Sequence, residues 1–500
     1  RSVYALKELG LIAGMEGNMY KPKETATRAQ SAKLLYGVYS YITTAAKEEI
    51  EEYGRLYKKL SAIGLVKKAK NADDIVSRGE FAAVMAAFMN KKDNVFSNGE
   101  VMYADVPPGS VYYDDVMYLY AKNIISGSMG SFSPETPITV SDALSMIVKA
   151  LGYGELMKTE GITDYNAAAV RYKIIEDNYG AYDSPMNFET VMKLIDHVKD
   201  VNVVKADLSG ASPSYAVTEE TALYYYHGIL TVKGILRSAG VRAIDSGLKT
   251  NSNTAGIGDM MYDCSDTEIY KNLGCEVKGY YREDEEILLY AEATERNSIV
   301  TVSKEQTESF EQSKLYYWDG ASKRSIEIPK SARLMKNYSC ISKLTEDDCK
   351  NAEEIILIDN NRDGEYEAVN IINEKTYFVN QISAESGKIY DYYENTPITT
   401  DSGIVFNVYD INGNAMSIGD IGINDVLSVQ ADDANESCVI YVSKQRDEGT
   451  VKETGTENGD RYARIGDNKY IVADNVAESA AEVKKLATGT GVTVYLNHRN

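Results

Sequence analysis

Along the first two hundred residues the apolar positions recur at helical spacing. Leu34, Leu35 and Val38 form one run, Phe81, Val84, Met85 and Phe88 a second, and Leu144, Ile147, Val148 and Leu151 a third. A helix-start signal precedes each run. Thr27, Ser77 and Thr139 can cap a helix, and Gln30, Glu80 and Asp142, three positions on, can reach back to the cap. A weaker start, Asn187-Phe188-Glu189-Thr190, opens a fourth run. The pattern predicts helix pairs joined by loops punctuated with Gly and Pro, over 1–46, 47–94, 95–157 and, in degenerate form, 158–204. One such pair buries little apolar surface, so the copies must pack on one another.

Beyond about Val204 the period changes to short alternating runs broken by Asn-Gly, Asp-Gly and Gly-Asp turns. Asp319-Gly320 and Asn412-Gly413 read as hairpin turns in which both central residues take positive φ. The expectation is tandem small all-β barrels or sandwiches over 205–305, 306–374, 375–444 and 445–500, the last one incomplete. A faint repeat relates 216–305 to 445–500 through an Ile-Gly-Asp-x-x-Tyr string, at Ile257–Tyr262 and Ile465–Tyr470. The fold class expected is multidomain α+β.

The helical units carry more than periodicity. Tyr103 to Val106 reads aromatic-x-Asp-Val, Asn123 to Gly127 reads Asn-Ile-Ile-Ser-Gly, Phe132 to Pro134 is an aromatic-x-Pro turn, and Ile138 to Asp142 is Ile-Thr-x-x-Asp. Leu9–Gly14, Tyr20-x-Pro22 and Thr27–Gln30 repeat the later part of that order, as does Ser77–Glu80. The order resembles the S-layer homology (SLH) repeat, by which bacterial surface proteins hold on to the cell wall. The chain as a whole resembles clostridial-type surface proteins in which such repeats precede β modules. The resemblance implies three repeats around a pseudo-threefold axis, with an arginine at each helix start contacting an anionic wall polysaccharide. A guanidinium forks onto a carboxylate, and a helix N-terminus adds positive potential. Carried over, the polymer-binding residues are Arg28 and Arg78, with Gly14 and Gly127 closing the Ile-x-Gly stretch. The third unit departs from the pattern with Val140 at the arginine position and the fourth with Phe188, and Val111 stands nearest the usual tryptophan.

Charge and chemistry narrow the function. A net charge of −22 argues against nucleic-acid binding, which needs a basic face. No apolar run is long enough to span a membrane. Arg1 leads directly into a repeat-like segment, so the expectation is a processed or truncated start. Cys264, Cys275, Cys340, Cys349 and Cys438 fit no disulfide framework and are expected to be reduced. Cys264 with Cys275, or Cys340 with Cys349, could nevertheless close small loops. His197, His227 and His498 lack metal-ligand spacing, and no nucleophile or phosphate-loop motif stands out, so no enzymatic role is expected.

Asp359, Asn361 and Asp363, followed by Gly364, place oxygen ligands as a calcium loop does, with Glu365 or Glu367 completing the shell and Asn370 in place of the final glutamate. The same residues also fit a polar hairpin turn held by Asx hydrogen bonds. The reading is a secreted cell-surface structural protein, anchored to wall polysaccharide or a peptidoglycan-linked polymer through its repeats. Its β modules would associate with further copies as a layer, filament or stalk. The alternative is a wall-anchored scaffold that binds a glycan or a protein.

Overall fold

The computed structural model describes residues 49–92, 103–125, 130–176, 181–209, 213–248, 251–383, 385–393, 396–400, 403–432, 436–457 and 459–499. The chain divides into two compact units, 1–230 and 231–500.

The first unit is helical. Three repeats contribute a first helix each: α1 at 49–62, α3 (Tyr113–Ala121) and α6 (Tyr165–Arg171). They contribute a second helix each: α2 (Arg78–Phe88), α4 (Val140–Ala150) and α7 (Phe188–Val198), while α5 (Tyr153–Glu160) is an insertion after α4. Each first helix is followed by a residue in the left-handed region: Gly64 (φ 81°), Asn123 (φ 58°) and Lys173 (φ 57°). This reversal lets the amides of Leu65, Ile124 and Ile174 bond back into the helix at 2.8–2.9 Å and turns Leu65-Val66, Ile124-Ile125 and Ile174-Ile175 into the core.

The repeats close into a ring through main-chain hydrogen bonds. Val76 N–H donates to Met186 O, Met186 N–H to Ile138 O and Ile138 N–H to Val76 O, at 2.9–3.0 Å. Around them, three isolated bridges run Ser77 to Pro137, Thr139 to Pro185 and Asn187 to Ile75. Each second helix also has its first amides satisfied by a neighbouring repeat: Arg78 and Gly79 by Thr136 and Pro134, Val140 and Ser141 by Ser184 and Tyr182, Phe188 and Glu189 by Asp74 and Ala72. The third orphan amide goes to the cap side chain of Ser77, Thr139 or Asn187. Segment 158–204, read from sequence as a degenerate helix pair, supplies a full member of the ring. The repeat expected at 1–46 lies outside the described residues. A hairpin of β1 (Asn202–Asp207) and β2 (Ser214–Thr221), with α8 (Ala222–His227), completes the unit.

The second unit is almost entirely β. Strands between Ile229 and Ala293 form one sheet, in which an additional pairing of Ile229–Ala239 with Glu276–Arg282 closes five strands into a small barrel. A five-stranded sheet spanning 298–372 packs with a three-stranded meander (307–327) around Val302, Leu315, Ile355, Leu357 and Val369. A six-stranded mixed sheet (375–443) and a four-stranded sheet (446–495) follow. Strand Ser298–Ser303 pairs with Glu354–Asp359, so it belongs to the second sheet rather than to the sheet before it.

The Ile-Gly-Asp repeat is real at the level of hairpins. Gly258 and Gly466 both turn at φ 59°, and Ala255 faces Tyr262 as Ala463 faces Tyr470. The expected turns differ in detail. Asp319 pairs with Ser322, so the turn is Gly320-Ala321, with positive φ only at Gly320. At the other turn Gly413 is left-handed (φ 81°), whereas Asn412 donates its amide to the Asp410 carboxylate instead. All five cysteines are free thiols, which leaves both loop-closing pairs unformed.

Candidate functional site

The arginine site forms where α2 meets the α3–α4 repeat. Helix position one puts Arg78 at the ring junction, where its Nε–H donates to Phe132 O at 3.1 Å and Nη1 to Asp142 Oδ2 at 2.7 Å. The guanidinium lies 5.2 Å over the Phe132 ring, which leans with Tyr120 on the buried Tyr103. Asp105 explains the aromatic-x-Asp-Val motif. Its carboxylate accepts the Phe132 amide at 2.9 Å, the Ser133 amide at 2.7 Å and the Ser131 hydroxyl at 2.7 Å, tying the helix entrance to the aromatic-x-Pro turn. Burial raises the Asp105 pKa, but these bonds outweigh it and hold the carboxyl below its ordinary value. Gly79 lets the Tyr112 ring lie on the helix, because a Cβ there would meet that ring at 2.8 Å.

The other two junctions repeat this backbone without its charge. Val140 and Phe188 occupy the arginine position and are buried. Val111, nearest the usual tryptophan, is 84% exposed. Arg28, Gly14 and Gly127 lie outside the described residues.

The second site is the loop between strands Glu354–Asp359 and Ala368–Ile372. Asp359 is buried, and its carboxylate accepts the amides of Asn361, Arg362 and Gly364 at 2.6–3.2 Å. Burial raises its pKa, and these amides more than reverse the effect. Arg362 (φ 61°) and Gly364 (φ 90°) bend the chain so that Asp359, Asp363 and Glu367 bring carboxylate oxygens within 4.8 Å of one another. Among the described residues this is the only such acidic, histidine or cysteine cluster. Asn361 accepts the Asp363 amide and donates to Glu367 Oε1, so it braces the group. Glu365 stays outside the cluster, its amide bonded to Asp363. Asn370 is held in the sheet, accepting the Tyr338 amide, and does not reach the loop.

Comparison with protein families gives a match to the S-layer homology domain over residues 1–32 and 103–142. The second segment contains Asp105, Phe132 and Asp142, which form the Arg78 junction. The chain carries S-layer homology sequence in these two segments. Of the ring, the match covers the repeat of α3 and the start of α4; the repeats of α2 and α7 lie outside it. Among curated proteins, the chain is 22% identical over 520 residues to a surface layer protein of Brevibacillus choshinensis, covering 89% of this chain and 46% of that one. It is 26% identical over 241 residues to the middle cell wall protein of Brevibacillus brevis, covering 45% and 22%. It is 22% identical over 442 residues to a cell surface protein of Thermoanaerobacter kivui, covering 86% and 53%. The SLH chain thus spans about half or less of each relative's length. Among its described residues no helix is long and apolar enough to cross a membrane.

From sequence Arg78 stands at a helix start, but its partner there, Asp142, is not evident. Asp142 was read only as a capping residue, and the alignment of Arg78 with the next repeat's helix start was the signal available.

Proposed function

We propose that this chain is part of a bacterial cell-surface structural protein, held on the wall by its SLH ring and continued by its β domains. One observation carries the reading: three helix pairs closed by a cyclic set of main-chain hydrogen bonds, in a chain matching the S-layer homology domain. The names of the three relatives support the same location. The partner is an anionic wall polysaccharide, and the Arg78 junction is its contact, since the arginine is already oriented by Phe132 and Asp142 and partly open to solvent. Sedimentation with isolated cell walls tests this. Arg78→Ala combined with Arg28→Ala should lower retention severalfold, and undiminished retention would remove the arginines from the anchor.

The Asp359 loop is the calcium site of this reading. Its three converging carboxylates are the hard oxygen donors that Ca²⁺ selects.

A second reading, a scaffold that also holds a glycan or protein, is favoured by a cavity of about 830 Å³ between the last two sheets. Phe378, Tyr392, Tyr393, Tyr470 and Tyr495 line it, and its size is that of a ligand site. Electron microscopy of purified protein with and without calcium separates the two. Regular sheets or fibres support assembly, whereas a monomer that retains polysaccharide supports the scaffold.

A further inference from the structure

Arg242, in the short strand that extends the barrel sheet, is 3% exposed. Its guanidinium carbon lies 4.1 Å from the centre of the Tyr270 ring, and Nη2 donates to Asn407 Oδ1 at 3.0 Å. Asn407 is itself fixed, its Nδ2 donating to Thr267 O at 3.0 Å. The Arg242 Nε–H has no acceptor, and among the described residues the side chain forms no ion pair. Arginine cannot shed its proton, so a cation stands in the interior without a counter-charge in contact. Burying an unpaired charge is strongly destabilising.

The neighbouring acids do not cancel it. Asp432 acts on Arg242 from a distance, but its carboxylate is taken up by the amides of Glu436 and Ser437 and by the Ser437 hydroxyl, at 2.7–2.9 Å. Asp266 accepts the Glu268 amide at 2.9 Å through Oδ1 and makes no ion pair with Arg242 among the described residues. Beside the guanidinium is a cavity of about 40 Å³, bordered by Arg242, Tyr270, Cys264, the acid Asp266 and the hydroxyl residues Ser252, Thr254 and Thr267. Ser252 and Thr267 are exposed, which gives the cavity a way in from solvent. Burial pushes the Cys264 thiol up to about 11, so it adds no negative charge at neutral pH. Roughly 10–15 Å³ holds one water, so this space takes a single small ion and is far below what a sugar or nucleotide fills.

We propose that the cavity beside Arg242 is a binding site for one small monovalent anion of the halide class. The anion accepts from the Arg242 Nε–H and completes the charge balance of the barrel. It is independent of the Arg78 junction proposed as the wall contact, which belongs to the other unit of the chain.

The test uses the full chain at constant ionic strength, with sodium gluconate exchanged stepwise for sodium chloride or bromide during thermal unfolding. A saturable rise of several degrees in the melting temperature is expected, with Arg242→Met abolishing it and Arg242→Lys moving its midpoint about tenfold higher. Crystals soaked in bromide should show an anomalous peak against Arg242, a measurement that needs no variant to fold. A non-saturating response shared by wild type and Arg242→Lys would overturn the proposal. So would a cavity holding only water in the bromide crystals.

Discussion

The junction between α2 and α4 and the two junctions related to it share one backbone and differ in the residue at its centre. Arg78 fills the first with a charge-assisted contact to Asp142, whereas Val140 and Phe188 fill the others with buried apolar side chains. The hydrogen bonds that close the ring are all main chain, with cap side chains at their edges, so they are indifferent to that residue. The ring backbone can therefore persist whichever residue stands at its centre. Under the proposed anchoring role, stability and ligand contact would be divided: the apolar junctions pack the ring, and the charged one, partly open to solvent, is left for a ligand.

Phe188→Ala should break this arrangement most severely. Truncating a buried phenylalanine costs about 3–5 kcal/mol, enough to melt a bundle of this size well below the wild-type temperature in denaturant titration. A cost below about 1 kcal/mol would mean that the third repeat is dispensable. Gly79→Ala should come next, at about 1–3 kcal/mol, since the new methyl must push the Tyr112 ring away. Ser141→Ala, at the equivalent place in the next repeat, provides the control and should cost less.

The Asp359 loop gives a comparison of its own. Both readings made from sequence describe the same geometry, because the amides that bend the loop are the ones that aim its carboxylates. Asp363→Ala distinguishes them, since Asp363 belongs to the acidic cluster but its side chain accepts only the Glu365 amide. The melting temperature should fall by several degrees in millimolar calcium and hardly at all in chelator. An equal loss in both would make the loop a plain turn.

Acid provides another contrast among the junctions. Glu80 closes the capping box of α2 and contacts Lys70, whereas the corresponding position in α7 is Thr190, which does not titrate. Burial raises the Glu80 pKa, but the Lys70 and Ser77 hydrogen bonds prevail and hold it below the ordinary 4.5. A depressed carboxyl contributes stability above its unfolded value and loses it as pH falls through the folded one. The helical unit should therefore weaken progressively below about pH 4.5, and Glu80→Gln should flatten that slope in a melting series.

What the sequence showed and what it hid follow from contact range. Caps, helical spacing and the left-handed residue after each first helix are local, so Ser77, Thr139 and Asn187 could be read directly. The third ring member was undervalued because Phe188 erased the arginine motif, although Val191, Leu194, Ile195 and Val198 kept the packing face. In the β unit the turns were placed but the partners were not. Nothing near Ser298–Ser303 announces that it pairs with Glu354–Asp359, and barrel closure joins strands forty residues apart. Arg242 was invisible for the same reason, since Tyr270 and Asn407 reach it only through the fold.

The smallest expected effect is also the most informative. Arg78→Ala removes a partly exposed ion pair, worth only about 0.2–1 kcal/mol, so the ring should stay folded and melt within a few degrees of wild type. Wall retention should nevertheless fall, because the guanidinium that Phe132 and Asp142 hold in place is gone. Asp142→Asn keeps the arginine and frees it, so it should weaken retention less than Arg78→Ala does. If Arg78→Ala instead unfolds the ring, the charged junction is structural like the other two, and the separation of ligand from scaffold fails. If both variants fold and retention is unmoved, the anchor lies at Arg28 or elsewhere in the chain.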